Sequence, residues 1–335
     1  MKAIDPSQAS LERLVRQGVM LVAYPALSVD QGRTMLEALV REWGQPHLHS
    51  ARGELVWDVR SQPDGAARSQ GDAEFQLHTD ASFEEPPPRF VGLLVVQADE
   101  QGGGLSQWVS SAEVLARLTP DCRLGLRKPG RIKIPAEFSK GKNELMAPLL
   151  AGRDCLRYRS ELLEHPCSQL DQALLGPVRC QSLQTGQLLL LDNWRMLHGR
   201  SQVLDPRRHL LRVRFWGPQG PTPFGRDGHD PWFHGLDLFQ CQQFWEAHEA
   251  WEELWQVSDK RSPEGLALRG LIQAAAAGLK SLQGQERGVE ILRRRAEQTL
   301  ASSGLEEFRE VDLGVLRVNL SRLRCGQVLE LGTTV

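Results

Sequence analysis

The rhythm of apolar positions changes once along this chain. GVMLVAYPAL (18–27) is a short strand-like run. SVDQGRTMLEALVREWG (28–44) follows with apolar residues at helical spacing and Ser28 and Asp30 near its start. From about 52 to 217 the apolar runs ELVWDVR, FVGLLVVQA, RIKIPAEF, QLLLLDNW and HLLRVRFW are punctuated by Gly, Pro and Asp, and SSAEVLARL is the clearest helical pattern between them. This spacing predicts a β-sandwich or jelly roll rather than alternating βαβ units. GPQGPTPFGRDGHDPW (217–232) is dense in Gly and Pro and reads as a linker. Beyond it CQQFWEAHEAWEELWQV, GLALRGLIQAAAAGLKSLQ and GVEILRRRAEQTLASS predict a small antiparallel helical bundle. The expected class is therefore α+β: a strand-rich domain over 1–217, a linker over 218–232 and a helical domain over 233–335.

The chain has 335 residues, room for two domains. It is 41% hydrophobic and 24% charged with a net charge of −2, so nothing points to nucleic acid or to an anionic membrane surface. No apolar run approaches the roughly 20 residues a membrane span needs. The start, MKAIDPSQASLERL, is polar and acidic, unlike a secretory signal. Cys122, Cys155, Cys167, Cys180, Cys241 and Cys325 form no C-x-x-C pair, which argues against a disulfide framework or zinc ribbon. A reducing cytoplasm is the expectation.

The chemistry concentrates in two segments. In FQLHTDASF, His78 and Asp80 are two residues apart, and on a strand they would share one face and reach one ion. LLLLDNWRMLHGRS adds His198. Two histidines and a carboxylate hold one face of octahedral iron and leave three positions for a bidentate co-substrate and O2. H-x-D alone arises often by chance; its weight comes from its company. PRRHLLRVR supplies Arg207, Arg208, Arg212 and Arg214. On a strand Arg208, Arg212 and Arg214 share a face and Arg207 points away. An arginine fork suits a carboxylate, although a solvated strand face would explain a basic run equally well.

Taken in order, FQLHTDASFEEPPPRFVGLLVVQADEQGGGLSQWVS and GQLLLLDNWRMLHGRSQVLDPRRHLLRVRFWG resemble the TauD/TfdA (clavaminate synthase-like) family of Fe(II)- and 2-oxoglutarate-dependent dioxygenases, over about 10–217. The resemblance implies a double-stranded β-helix with iron on His78, Asp80 and His198. It also implies that Arg208 holds 2-oxoglutarate, with Ser106 where the family usually has a threonine contacting the co-substrate. Arg212 would face the substrate pocket and hints at an anionic group. The acidic ligand disfavours halogenation. Asn193, Trp194, Arg195, Arg157 and Tyr158 stand close to these motifs, with packing and chemistry both open for each. His209 reads as a packing or surface residue. The implied reaction consumes 2-oxoglutarate and O2, releases succinate and CO2 and oxidises a small molecule. Hydroxylation is the default; desaturation, cyclisation and cleavage stay open.

In the tail, Trp245, His248, Glu252 and Trp255 fall on one helical stripe, with Phe244, Glu249 and Trp251 at its margins. The segment 236–300, most specifically FWEAHEAWEELW, resembles the small helical family called domain of unknown function 309, which implies no activity. His248 with Glu249 and Glu252 could hold a metal, or His248 and Glu252 could satisfy each other or Gln273. His229 and His234 lie in the linker and could cap the pocket. Three readings of the whole follow: a small-molecule oxygenase whose helical domain shapes entry or mediates dimerisation; an oxygenase to which that domain delivers a carried or macromolecular substrate; or a non-catalytic sensor of iron or 2-oxoglutarate.

Overall fold

The computed structural model describes residues 1–49, 53–61, 71–139, 141–222, 224, 231–309 and 311–333. Most of the linker expected after Thr222, including His229, lies outside them. The chain forms two compact units. One comprises Met1–Leu118 and Leu126–Gly228, the other Thr119–Gly125 and His229–Val335.

The first unit is built on two antiparallel sheets, and its fold is a jelly roll. In the larger sheet the order is Val19–Ala23, Gln187–Asp192, Phe90–Gln97, His209–Trp216 and Gln45–Pro46, with Val56–Arg60 also paired to His209–Trp216. In the smaller, the order is Arg179–Gln181, Ser106–Ser110, Met196–Arg200 and Phe75–His78. The central strands of the larger sheet read as unbroken apolar runs because both their faces are covered. On one face Phe90, Leu94, Leu188, Leu190, Leu211 and Val213 pack with Leu36, Leu39 and Val40 of the helix Val29–Trp43. That helix starts at a capping box in which Ser28 and Gln31 each accept from the other's backbone N–H. The opposite face carries Leu21, Val91, Leu93 and Leu189, which share a core with Trp108 and Met196 of the smaller sheet.

Several expectations needed correction. Leu11–Gln17, Pro120–Arg127 and Ser168–Leu174 are helices that the apolar pattern did not announce. In RIKIPAEF only the first part is strand, within Gly130–Lys133, and Ala136–Phe138 is a 3-10 turn.

The second unit holds the helices Pro231–Gln240, Phe244–Val257, Pro263–Leu282, Glu286–Ser303 and Leu313–Arg322. A three-stranded ribbon, Glu307–Phe308, Val311–Asp312 and Gly332–Thr333, accompanies them. The Ala-rich helix Pro263–Leu282 is central: Ala267, Ala274, Ala275 and Ala277 are fully buried, so neighbours can approach it on several sides. The buried face of Phe244–Val257 is Phe244, Ala247, Ala250 and Trp251, not the stripe through Trp245 and His248. Trp245 is 54% exposed, stacked flat on the half-buried His248 at 5.4 Å. His248 Nδ1 is 3.5 Å from Glu249 and 3.8 Å from Glu252, with no hydrogen bond to Gln273.

Candidate iron and 2-oxoglutarate site

His78 ends the strand Phe75–His78, and His198 lies on Met196–Arg200 directly opposite it in register. Asp80 is not on the strand with His78: it lies in the turn just past the strand end. The proximity expected from a shared strand face is therefore reached by a turn. Ala81, next in that turn, has φ 50°, in the left-handed region that residues with a Cβ seldom occupy. The turn is held from outside. Asp80 N–H donates to Asn193 Oδ1 at 2.7 Å, and Asn193 Nδ2 donates to the carbonyls of Asp80 (3.0 Å) and Pro88 (2.8 Å). Trp194 Nε1 reaches Pro87 O at 3.0 Å. Buried Arg157 holds Glu84 O and Glu85, and Tyr158 exchanges hydrogen bonds with Thr79. Arg195 bonds Asp154 and Val15 O. Of the residues left open between packing and chemistry, all five thus make structural bonds, and Asn193 binds the ligand loop itself. Gly199 lets the two strands approach: a Cβ there would lie 2.5 Å from Phe75 O.

One potential ligand atom from each of His78, Asp80 and His198 lies within 4.8 Å of the others, and all three residues are buried. Asp80 Oδ1 is 3.4 Å from His78 Nε2 and 3.7 Å from His198 Nε2. His78 Nδ1 is 2.8 Å from Gln76 O, so its proton belongs there and the Nε2 lone pair points inward. His78 Nε2, His198 Nε2 and Asp80 Oδ2 are buried without a hydrogen-bond partner. Three orphaned donor atoms converging in a dry site are costly unless a cation completes them, and two imidazoles with one carboxylate suit iron. Burial raises Asp80, but Arg212 and the two histidines outweigh it and hold its carboxyl well below the usual range. Burial, with His198 alongside, lowers His78 to about 4 despite Asp80, so its imidazole is neutral at neutral pH, as metal binding requires.

Arg208 immediately precedes the strand His209–Trp216 and is 8% exposed. Its guanidinium makes no hydrogen bond or ion pair among the described residues, while its backbone N–H donates to Asp205 O at 3.0 Å. Burial and neighbouring Arg200 push its guanidinium down to about 10. Gly104, at φ 58°, leaves room for it: a Cβ there would lie 2.6 Å from Arg208 Nε. Ser106, buried, begins the adjoining strand two residues on. Arg212 donates to Asp80 Oδ1 at 3.3 Å. Arg207 points away, bound to Asp205 and Glu100, and His209 bonds Asp58 at 2.6 Å.

A cavity of about 60 Å³ adjoins Asp80. Its walls include Trp57, Phe83 and Phe138, with Arg159, Arg212 and Arg214. The aromatic residues and Arg159 escaped sequence reading because they come from four separate segments.

The family model described as "Taurine catabolism dioxygenase TauD, TfdA family" matches residues 1–153. The match is to just under half of the chain, the part that carries His78 and Asp80. The model match ends before His198 and Arg208, whose membership of the site rests on their geometry. A second model, domain of unknown function 309, matches residues 232–292. Among curated proteins, the TauD/TfdA unit is similar to the 3-((Z)-2-isocyanoethenyl)-1H-indole synthase of Fischerella ambigua, 25% identical over 62% of this chain and 87% of that protein. It is also similar to the L-lysine 3-hydroxylase of Catenulispora acidiphila, 28% identical over 40% of this chain and 42% of that one. Among solved structures, asparagine oxygenase with Fe(II), 3-hydroxyasparagine and succinate aligns with TM-score 0.53 and 24% identity, over 61% of this chain and 77% of that one. The iron oxygenase OrfP with iron and α-ketoglutaric acid aligns with TM-score 0.50 and 17% identity, over 61% and 76%. These structural likenesses establish the jelly-roll fold.

Asn193 yields a prediction. Asn193→Ala should weaken Fe(II) binding roughly tenfold, the lower end of what losing an outer partner costs. It strands the Asp80 N–H, and anaerobic Fe(II) titration reads the effect. Wild-type affinity in a folded variant would show that the loop holds itself.

Proposed function

We propose that this chain is an Fe(II)- and 2-oxoglutarate-dependent dioxygenase that hydroxylates a small-molecule substrate, an amino acid or amino-acid derivative, with release of succinate and CO2. The observation that carries this reading is the buried cluster of His78, Asp80 and His198, each of which has a ligand atom without a hydrogen-bond partner. The family match and the relatives named above, an amino-acid hydroxylase and an indole-derivative synthase, support the reaction and the substrate class. His78, Asp80 and His198 would hold the metal, and Arg208, with Ser106 beside it, the distal carboxylate of 2-oxoglutarate. Bound iron supplies O2 activation coupled to decarboxylation of the co-substrate.

The chain's own contribution is positioning and exclusion of water. Asn193 and Trp194 fix the loop that carries Asp80. Arg212 keeps that carboxylate ionised and oriented. The buried walls keep bulk water from the reacting carbon. No helix among the described residues is long and apolar enough to cross a membrane.

The test is succinate release by the full chain, dependent jointly on Fe(II) and 2-oxoglutarate and accelerated by a member of an amino-acid and acyl-amino-acid panel. Absence of any iron-dependent 2-oxoglutarate consumption would refute the reading.

A further inference from the structure

Arg214 is a second buried guanidinium with no ion pair among the described residues. It is 5% exposed, and its Nε is buried with no hydrogen-bond partner. Its guanidinium carbon stands 4.6 Å from the centroid of the Trp57 ring, on the wall of the cavity beside Asp80. Two carboxylates are near enough to attract it, Asp80 and Glu84. Asp80 is engaged by Arg212, and Glu84 lies 2.5 Å from His47 Nε2. A buried cation left in this state is costly unless an anion arrives to meet it.

We propose that Arg214 takes the anionic group of the primary substrate, and that this substrate is a carboxylate on an uncharged apolar or aromatic body, with no free ammonium group. The proposal rests on the iron and 2-oxoglutarate reading and narrows its substrate class.

Three observations carry it. First, Arg214 does not compete for the co-substrate. It lies six residues beyond Arg208 along the chain, roughly 20 Å at strand spacing, with Arg212 between them committed to Asp80. A carboxylate on Arg214 would place the rest of the molecule beside Asp80. Second, the cavity walls are Trp57, Phe75, Phe83 and Phe138, which suit an apolar body. Third, the charge of the cavity is one-sided. Arg159, Arg212 and Arg214 line it, and the carboxylates are Asp80 and Glu137. Asp80 belongs to the metal set and Glu137 is exposed. A free amino acid would leave its ammonium beside guanidinium groups, and no lining carboxylate is both buried and outside the metal set.

The experiment is anaerobic calorimetric titration of the full chain, first with 2-oxoglutarate in the presence of Fe(II), then with matched probes. The probes are the N-acetyl, deaminated, free and N-acetyl-amide forms of phenylalanine, tryptophan and leucine. The expected result is that at least one ammonium-free acid binds, and that its zwitterionic and amide counterparts bind roughly tenfold or more weakly. Arg214→Met should lose a similar factor for that acid while keeping the wild-type affinity for 2-oxoglutarate, and Arg214→Lys should recover part of it.

Equal or tighter binding of the zwitterion, wild-type acid affinity in Arg214→Met, or binding of no acid in the panel would each overturn the proposal. If the first titration fails in the wild-type chain, the underlying iron and 2-oxoglutarate reading falls and the proposal falls with it. That failure is distinguishable because it precedes any probe.

Discussion

Asp80→Ala is expected to abolish Fe(II)- and 2-oxoglutarate-dependent succinate formation. Removing a partner that merely orients a ligand costs roughly 10–100-fold in metal affinity, and removing the carboxylate itself should cost more. Asp80 is the centre of the cluster: its Oδ1 faces both histidines and accepts from Arg212. The substitution therefore acts twice. It takes away the anionic ligand, and it leaves Arg212 as a buried cation without its partner, a loss of roughly 3–5 kcal/mol when one member of a buried pair is removed. Stability and iron binding must be read separately. Thermal denaturation measures the first and anaerobic Fe(II) titration the second. Undiminished turnover in Asp80→Ala would refute the metal assignment, whatever the stability.

The same residues show why part of this site can be read in the sequence and part cannot. The runs FVGLLVVQ and QLLLLD are visible because strands buried on both faces need apolar residues at every position. Ser106–Ser110 and Met196–Arg200 are largely buried too, yet SQWVS and MLHGR look like loop, because Ser106, Gln107 and Ser110 in one and His198, Gly199 and Arg200 in the other break the apolar run. His78 and Asp80 were brought together by the right inference for an incomplete reason: the turn after the strand does what the strand face was expected to do.

In the tail, Phe244, Ala247, Ala250 and Trp251 carry the packing while Trp245 stays outside. A stripe centred on Trp245 and His248, with Phe244 and Trp251 at its margins, therefore selected the wrong face. Asn193 and Arg214 acquire their surroundings only in the folded chain. Asn193 meets Asp80 across 113 positions of chain, and local periodicity holds no record of that pairing. Arg214 could be placed on a face, but only its surroundings show that no ion pair among the described residues holds it.

Arg208→Met is expected to weaken 2-oxoglutarate binding roughly 100-fold. A bidentate arginine–carboxylate pair makes two charge-assisted hydrogen bonds. At roughly 1.5–3 kcal/mol each, losing them is worth about two orders of magnitude in affinity. Methionine keeps much of the apolar stem and its contact with Gly104 while removing the charge. The consequence for the unliganded protein has the opposite sign. Arg208 is buried beside Arg200, and its guanidinium forms no ion pair among the described residues, so replacing it should leave the free protein at least as stable as the wild type.

Ligand linkage supplies the crossed comparison. At 100 times its dissociation constant, 2-oxoglutarate should stabilise the iron-loaded wild type by about 2.7 kcal/mol, and the same concentration should add little to Arg208→Met. Thermal denaturation with and without the co-substrate, alongside calorimetric titration, reads all three quantities. Wild-type co-substrate affinity in the variant would remove Arg208 from the site. A free variant much less stable than the wild type would show instead that its guanidinium is paired within the fold.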